Sequence, residues 1–336
     1  PRPAPLPEVS PWQRGGALAG SRRCELCGAA ARLRCRRCRL TYYCDVDHQT
    51  ADWKYIIDLA SSTAQRFVLD GKHEEAIPAA LHALRFSTEV YGSNSVQLVP
   101  AYLLLAEAST GAGCLLQASK YLSQAQWIVL RTPDCSVAVQ QKLHRSLGLF
   151  CAAEENFEQA LYHLANDIYL TSSMFGLKSI ETSGGYFHMA NIFFHQNKMD
   201  IANSLYAEVT DIWHAFLVKS LRAQEQIINS RPEMSPLTGD EAVGKASLTE
   251  AQQAEAIRVL NAVLDIREQA PKQQPRETAR VLHTLAMLYY LGMDLPKAGE
   301  VGTKAFNLVK GLPQQESLEA IGHLLKLINS TPSCTK

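Results

Sequence analysis

Four six-residue strings recur in this chain at a fixed interval: GKHEEA (Gly71–Ala76), GCLLQA (Gly113–Ala118), ENFEQA (Glu155–Ala160) and NKMDIA (Asn197–Ala202), their first residues 42 apart each time. Each follows an amphipathic stretch with a small residue seven places earlier, at Ala64, Ala106, Gly148 and Ala190. A fifth copy, MDLPKA (Met293–Ala298), has Ala286 in that place and Ala305 downstream. A constant period of this length marks a repeat array. Small residues at matched positions let two antiparallel helices approach closely across a short turn. A single hairpin leaves an apolar face uncovered, so hairpins must stack. The pattern predicts an all-α fold, a right-handed helical-hairpin solenoid with no β-sheet core past position 55. The competing arrangement is a helical bundle without repeats.

Breaks in the pattern divide the chain. Residues 1–20 are rich in proline and glycine and are expected to be a disordered tail. A cysteine-rich block fills 21–53, and helical repeats are expected over 54–228. Pro232, Pro236, Gly239 and Gly244 make 229–247 a linker, further helical repeats occupy 248–328 with a break near Pro271–Pro275, and 329–336 is a tail. Gly184-Gly185 is expected in a loop between repeats. The chain begins at Pro1 rather than Met, which suggests a fragment or an incomplete gene model. No run of 18 apolar residues predicts a membrane span. Equal numbers of basic and acidic side chains, 33 each, give the whole molecule no general attraction to nucleic acid.

Five of the nine cysteines (Cys24, Cys27, Cys35, Cys38, Cys44) fall close together, as Cys24-Glu-Leu-Cys27, Cys35-Arg-Arg-Cys38 and Cys44-Asp-Val-Asp-His48. Two C-x2-C pairs followed by C-x3-H have the spacing of structural zinc sites rather than of a disulfide framework. Zinc accepts thiolate and imidazole together in a tetrahedron. A block this small cannot fold on apolar burial alone, so the metal supplies folding free energy, on the order of 10 kcal/mol. Seven arginines (Arg22, Arg23, Arg32, Arg34, Arg36, Arg37, Arg39) lie in the same block. They could form a nucleic-acid surface or an import signal. The favoured reading is that they offset thiolate charge and solvate a small domain, because only Tyr42 and Tyr43 are near enough to stack on bases.

With Tyr43-Cys44, His48-Gln49 and Asp52-Trp53, the block resembles the MYND-type zinc finger. That resemblance implies interleaved ligands: Cys24, Cys27, Cys44 and His48 on a first zinc, Cys35 and Cys38 on a second. The family's closing H-x3-C after Asp-Trp is missing, because Trp53 runs through Lys54-Tyr55-Ile56 into a helix. One well-formed zinc and one weak or absent zinc are therefore expected. The repeats resemble tetratricopeptide repeats in a form longer than usual.

A complete set of three cysteines and one histidine leaves no open position for catalysis, and no SET-type methyltransferase domain, phosphate loop or nucleophile elbow accompanies it. The chain is thus expected to be non-enzymatic, with Zn2+ as its cofactor and proteins as its partners. His144, His163, His188 and His214 stand alone at ligand spacing and are assigned no chemistry. Cys114 and Cys151 are expected to serve as small apolar residues in the repeats.

If the hairpins stack, the first helix of each lines a concave groove that can take extended peptides. The 42-residue register places Gln65, Glu107, Arg145, Phe187, Asn191, Phe194 and Met287 toward it. These are not the Lys/Asn set that clamps a C-terminal carboxylate. The pairing of finger and repeats resembles proteins of the motile cilium, implying an axonemal location in cilium or flagellum beside another repeat protein. The alternative is a nuclear or cytoplasmic co-repressor adaptor whose finger binds proline-containing peptides.

Overall fold

The computed structural model of the chain describes residues 22–35, 39–229, 248–270, 274–311 and 315–330. The tail over 1–20, the body of the 229–247 linker, the tail past 330 and Cys38 lie outside these residues. The finger contributes two short antiparallel strands, β1 (Leu33–Arg34) and β2 (Tyr42–Tyr43), with Leu33 opposite Tyr43 and Arg34 opposite Tyr42. Among the described residues, the regular elements that follow are all helical: α1 (Val46–Leu69), α2 (His73–Tyr91), α3 (Val99–Gly111), α4 (Leu115–Arg131), α5 (Val137–Ala153), α6 (Phe157–Phe175), α7 (Ile180–His195), α8 (Met199–Asn229), α9 (Glu250–Gln269), α10 (Pro275–Leu291), α11 (Leu295–Val309) and α12 (Gln315–Ser330).

The recurring strings are the hairpin turns. Their first residues, Gly71, Gly113, Glu155, Asn197 and Met293, all have left-handed backbone, with φ between 58° and 75°. In each case the next N–H reaches back to a carbonyl five residues earlier, as from Lys72 to Phe67 at 2.8 Å and from Asp294 to Tyr289 at 2.9 Å. This Schellman closure satisfies carbonyls that the helix end would leave orphaned, and it turns the chain sharply into the second helix.

Hairpins α1–α2, α3–α4, α5–α6, α7–α8 and α10–α11 then pack side by side, with α12 against the last. The small residues are the contact points. Ala64, Ala76, Ala160, Ala190, Ala202, Ala286 and Ala298 have no solvent exposure. At Gly148 a Cβ would lie 2.8 Å from Cγ of Leu164 on the partner helix, so glycine fits where the other copies have alanine. The fold is a tetratricopeptide-like helical-hairpin solenoid carrying a small zinc knuckle at its N-terminus. Neighbouring first helices (α1 with α3, α3 with α5, α5 with α7) pack more closely than neighbouring second helices, which puts the first helices on the inner, concave side.

Helix α1 starts inside the finger and continues without interruption past Trp53 as the first repeat helix. Two expectations change. Gly184-Gly185 lies within α7 and is buried. Its lack of side chains admits the Arg145 guanidinium and Ile168, which a Cβ at either position would crowd. Finally, α9 is not a member of a hairpin: α10 packs directly on α8, and α9 runs along α10 and reaches α1.

Candidate metal centre

Two local structures bring the first ligand set together. Cys24 and Cys27 flank a tight turn closed by Gly28 at φ 71°, whose N–H donates to the Cys24 carbonyl at 2.9 Å. Cys44 follows β2, and His48 sits in the first turn of α1. Asp45 caps that helix, its Oδ1 accepting the His48 N–H at 2.7 Å, which fixes the imidazole against the thiols.

The four ligand atoms lie within 4.8 Å of one another. Zinc bonds of about 2.3 Å to sulfur and 2.0–2.1 Å to nitrogen give tetrahedral edges of roughly 3.8 Å between sulfurs and 3.5 Å from sulfur to nitrogen. The Cys27–Cys44 separation of 3.7 Å and the Cys24 Sγ to His48 Nδ1 separation of 3.6 Å match those edges. The 2.9 Å between Cys44 Sγ and His48 Nδ1 is shorter than such an edge.

The electrostatics also call for a cation. Desolvation raises the Cys24 thiol, but N–H groups of Cys27, Cys44 and Leu26 and the His48 side chain outweigh it and bring it down to about 6. Cys44 is pushed up to about 12 by desolvation, by Asp45 and by the other two thiols. Three sulfurs this close cannot all ionise without a positive ion between them. The residues fit zinc.

The second pair stands differently. Cys35 is 2% exposed in an apolar cluster with Cys24, Tyr43 and Trp53. Its carbonyl accepts the Arg39 N–H at 3.0 Å, and Arg39 has φ 55°, repeating the Cys24–Gly28 turn. Among the described residues no set of three or more ligand atoms gathers around Cys35.

The finger is fused to the solenoid through its core. Trp53 of α1 meets Phe86 of α2 edge-on, with centroids 5.7 Å apart, and Val90 packs beside them. The Tyr43 hydroxyl donates to Asp52 Oδ2 at 2.6 Å, tying β2 to α1. Arg22 and Arg34 lie over the Tyr42 ring at 4.5 and 5.8 Å, so these two cations brace the finger.

The expected groove residues scatter. Gln65 is exposed on α1, and Asn191 accepts the Tyr206 hydroxyl at 2.7 Å. Phe194 is half-exposed at the end of α7. Phe187 and Met287, 5% and 1% exposed, are core residues packed where the hairpins meet and offer nothing to a groove. Glu107 is exposed on α3, and Arg145 is partly buried on α5, where it pairs with Asp167. Water reaches Glu107, yet the surrounding protein raises its carboxyl, while Arg258 and Arg145 lower it and Glu255 raises it further.

Sequence reasoning missed how the histidines pair. His144 and His163 bring their Nδ1 atoms to 3.0 Å across the α5–α6 hairpin. His214 Nε2 lies 3.3 Å from His283 Nδ1, joining α8 to α10. Sequence separations of 19 and 69 residues carry no ligand-spacing signal. Cys114 is exposed at the N-cap of α4 rather than packed.

Residues 24–55 match the MYND finger family. Among solved structures, 77% of the chain is similar to the nearly identical TPR-like repeats of a candidate kinesin light chain from Podosopora anserina, at 14% identity, over 97% of that chain and with a TM-score of 0.36. BtubC (BKLC) from P. vanneervenii is similar over 77% of this chain and 94% of its own, at 13% identity and a TM-score of 0.32. No helix among the described residues is long and apolar enough to cross a membrane.

Proposed function

We propose that this chain is a non-enzymatic scaffold for protein–protein contacts, with zinc as a structural element, working in the axoneme of a motile cilium or sperm flagellum. The observation that carries the scaffold reading is the closed four-ligand set continuous with a helix of the solenoid. Three thiolates and one imidazole fill a tetrahedron, so the ion has no vacant position for a substrate or an activated water. Its effect is to fix the start of α1 and, through Trp53 and Phe86, the first hairpin.

The axonemal part rests on resemblance. CELCG, YYCDVDHQ, the 42-residue repeats and TSGGYFHMANIF (Thr182–Phe193) are similar to zinc finger MYND domain-containing protein 12, which implies another axonemal repeat protein as partner. Expression of the tagged full chain in multiciliated cells tests it. Axonemal staining and co-purification of axonemal repeat proteins support the reading. A nuclear signal with capture of proline-containing peptides overturns it in favour of a co-repressor adaptor.

A further inference from the structure

Helix α9 stands outside the repeat order. The α10–α11 hairpin takes the next place in the stack directly on α8, as α3 does on α2 and α7 on α6, so α9 is not needed to continue it. Instead α9 lies along α10 and meets α1, the first helix of the solenoid. It is a well-defined helix, closed at its start by a reciprocal capping box between Thr249 and Gln252.

Its two faces do different things. Ala256, Val259, Leu260 and Val263 recur at helical spacing, are 0–3% exposed, and join the cluster built by Phe187, Trp213 and Leu285. Toward the concavity, Arg258 and Glu255 lie near enough to Glu107 of α3 to act on its charge, as does Arg145 of α5. Arg258 and Arg145 likewise act on His188 of α7, which burial first of all pushes down to about 3. One helix therefore packs along α10, touches α8 and α1, and sets its charges within reach of α3 and α7.

We propose that α9 is an intramolecular ligand of the concave surface. It occupies part of the concave side, where a solenoid of this kind takes an outside helix or extended peptide, and it straps the last hairpin to the first. An apolar stripe seated on α10, with Arg258 set near the Glu107 carboxyl, is the chemistry of a docked amphipathic helix. Outside proteins then meet the outer helices or the finger, and the inner surface opens only when α9 leaves it. The inference concerns this surface alone and does not depend on the compartment in which the protein works.

The test uses the zinc-loaded full chain and a fluorescently labelled peptide of residues 249–270. The native chain should leave the peptide unbound because its site is filled. A Val259→Asp/Leu260→Asp chain, whose own α9 is weakened, should bind the peptide. Backbone amides of α1 and α3 should exchange about tenfold faster or more in this variant, and added peptide should reverse the change. Since that variant could lose its C-terminal core, Arg258→Glu is the second probe: it keeps the apolar stripe and sets a third carboxylate beside Glu107 and Glu255. It should speed exchange in α1 and α3 with helix content unchanged. Equal peptide binding by native and double-variant chains, or α1 and α3 exchange that does not respond to Arg258→Glu, overturns the proposal.

Discussion

Asp167 Oδ2 lies 2.9 Å from Nε of Arg145, and the Asp167 side chain has no exposure to solvent. The same place in the other copies holds Ala83, Ala125, Val209 and Ala305, all buried, so one repeat has a carboxylate where its siblings have small apolar groups. Gln141 also donates to Asp167, the Thr171 hydroxyl donates to its carbonyl, and Arg145 donates onward to the Glu181 carbonyl at 3.1 Å. Together these bonds link α5, α6 and α7.

Breaking this pair from one side should cost more than removing it whole. Asp167→Ala leaves the guanidinium unpaired and should destabilise by about 3–5 kcal/mol. Arg145→Met combined with Asp167→Ala restores the residue type of the sibling repeats and should recover a large part of that loss. Urea titrations of the native chain and the two variants measure both.

The glycines of α7 should differ in their tolerance. A Cβ at Gly185 would lie 2.6 Å from Cγ1 of Ile168 and 3.0 Å from Asp167 Oδ2. Gly185→Ala should cost about 1–3 kcal/mol by overpacking. At Gly184 the nearest atoms belong to the Arg145 guanidinium, 3.0 Å away, a milder crowding than at Gly185, and the gain in helix propensity of about 1 kcal/mol offsets part of it. Thermal melts of the two variants should rank them in that order.

Turn residues offer stabilisation. Glu155 and Met293 occupy left-handed backbone at φ 60° and 62°, which costs a residue with a Cβ about 1 kcal/mol. Glu155→Gly and Met293→Gly should each raise the urea midpoint, by somewhat less than that cost because glycine loses more freedom on folding.

The knuckle should hold one zinc per chain after dialysis against a weak chelator. His48→Cys should keep it, and His48→Ala should lose it together with the edge-on contact of Trp53 and Phe86, seen as a change in tryptophan fluorescence. Two tightly held equivalents would mean that Cys35 finds ligands beyond those described.

Acid should weaken the junction between α8 and α10. Burial is the first cause that lowers His214 to about 4 and His283 to about 3; Arg280 lowers both, His214 lowers His283, and Asp211 partly opposes the shift at His214. Both rings are neutral in the fold, while the unfolded chain takes up protons near pH 6.5. Their contribution is fully present above about pH 6.5 and is lost as pH falls toward 4 and then 3. Urea midpoints between pH 7 and 4.5 should decline, and His283→Gln should flatten that decline relative to the native chain.

The solenoid was legible because its signals are local. A left-handed turn and an alanine contact each need only a few neighbouring residues, and the period repeats them. The zinc ligands were legible for the same reason, as two short spacings. What stayed hidden depends on contacts distant in sequence. The amphipathic pattern of α9 looks like any repeat helix, and only its neighbours, α10, α8 and α1, show that it stands outside the hairpin order. Gly184-Gly185 has the composition of a loop, and its place in a helix follows from Arg145 and Ile168 lying against it. Phe187 and Met287 fall in the groove register, but side chains of α8, α9 and α10 that are distant in sequence close over them.

Helix α1 carries His48 in its first turn and Ala64 near its last, on one rod of 24 residues, about 36 Å long. A metal bond at one end and a hairpin contact at the other share a lever with no joint between them. Any tilt imposed where the ion sits is delivered to the turn at Gly71, so zinc sets the heading from which every later hairpin is laid down.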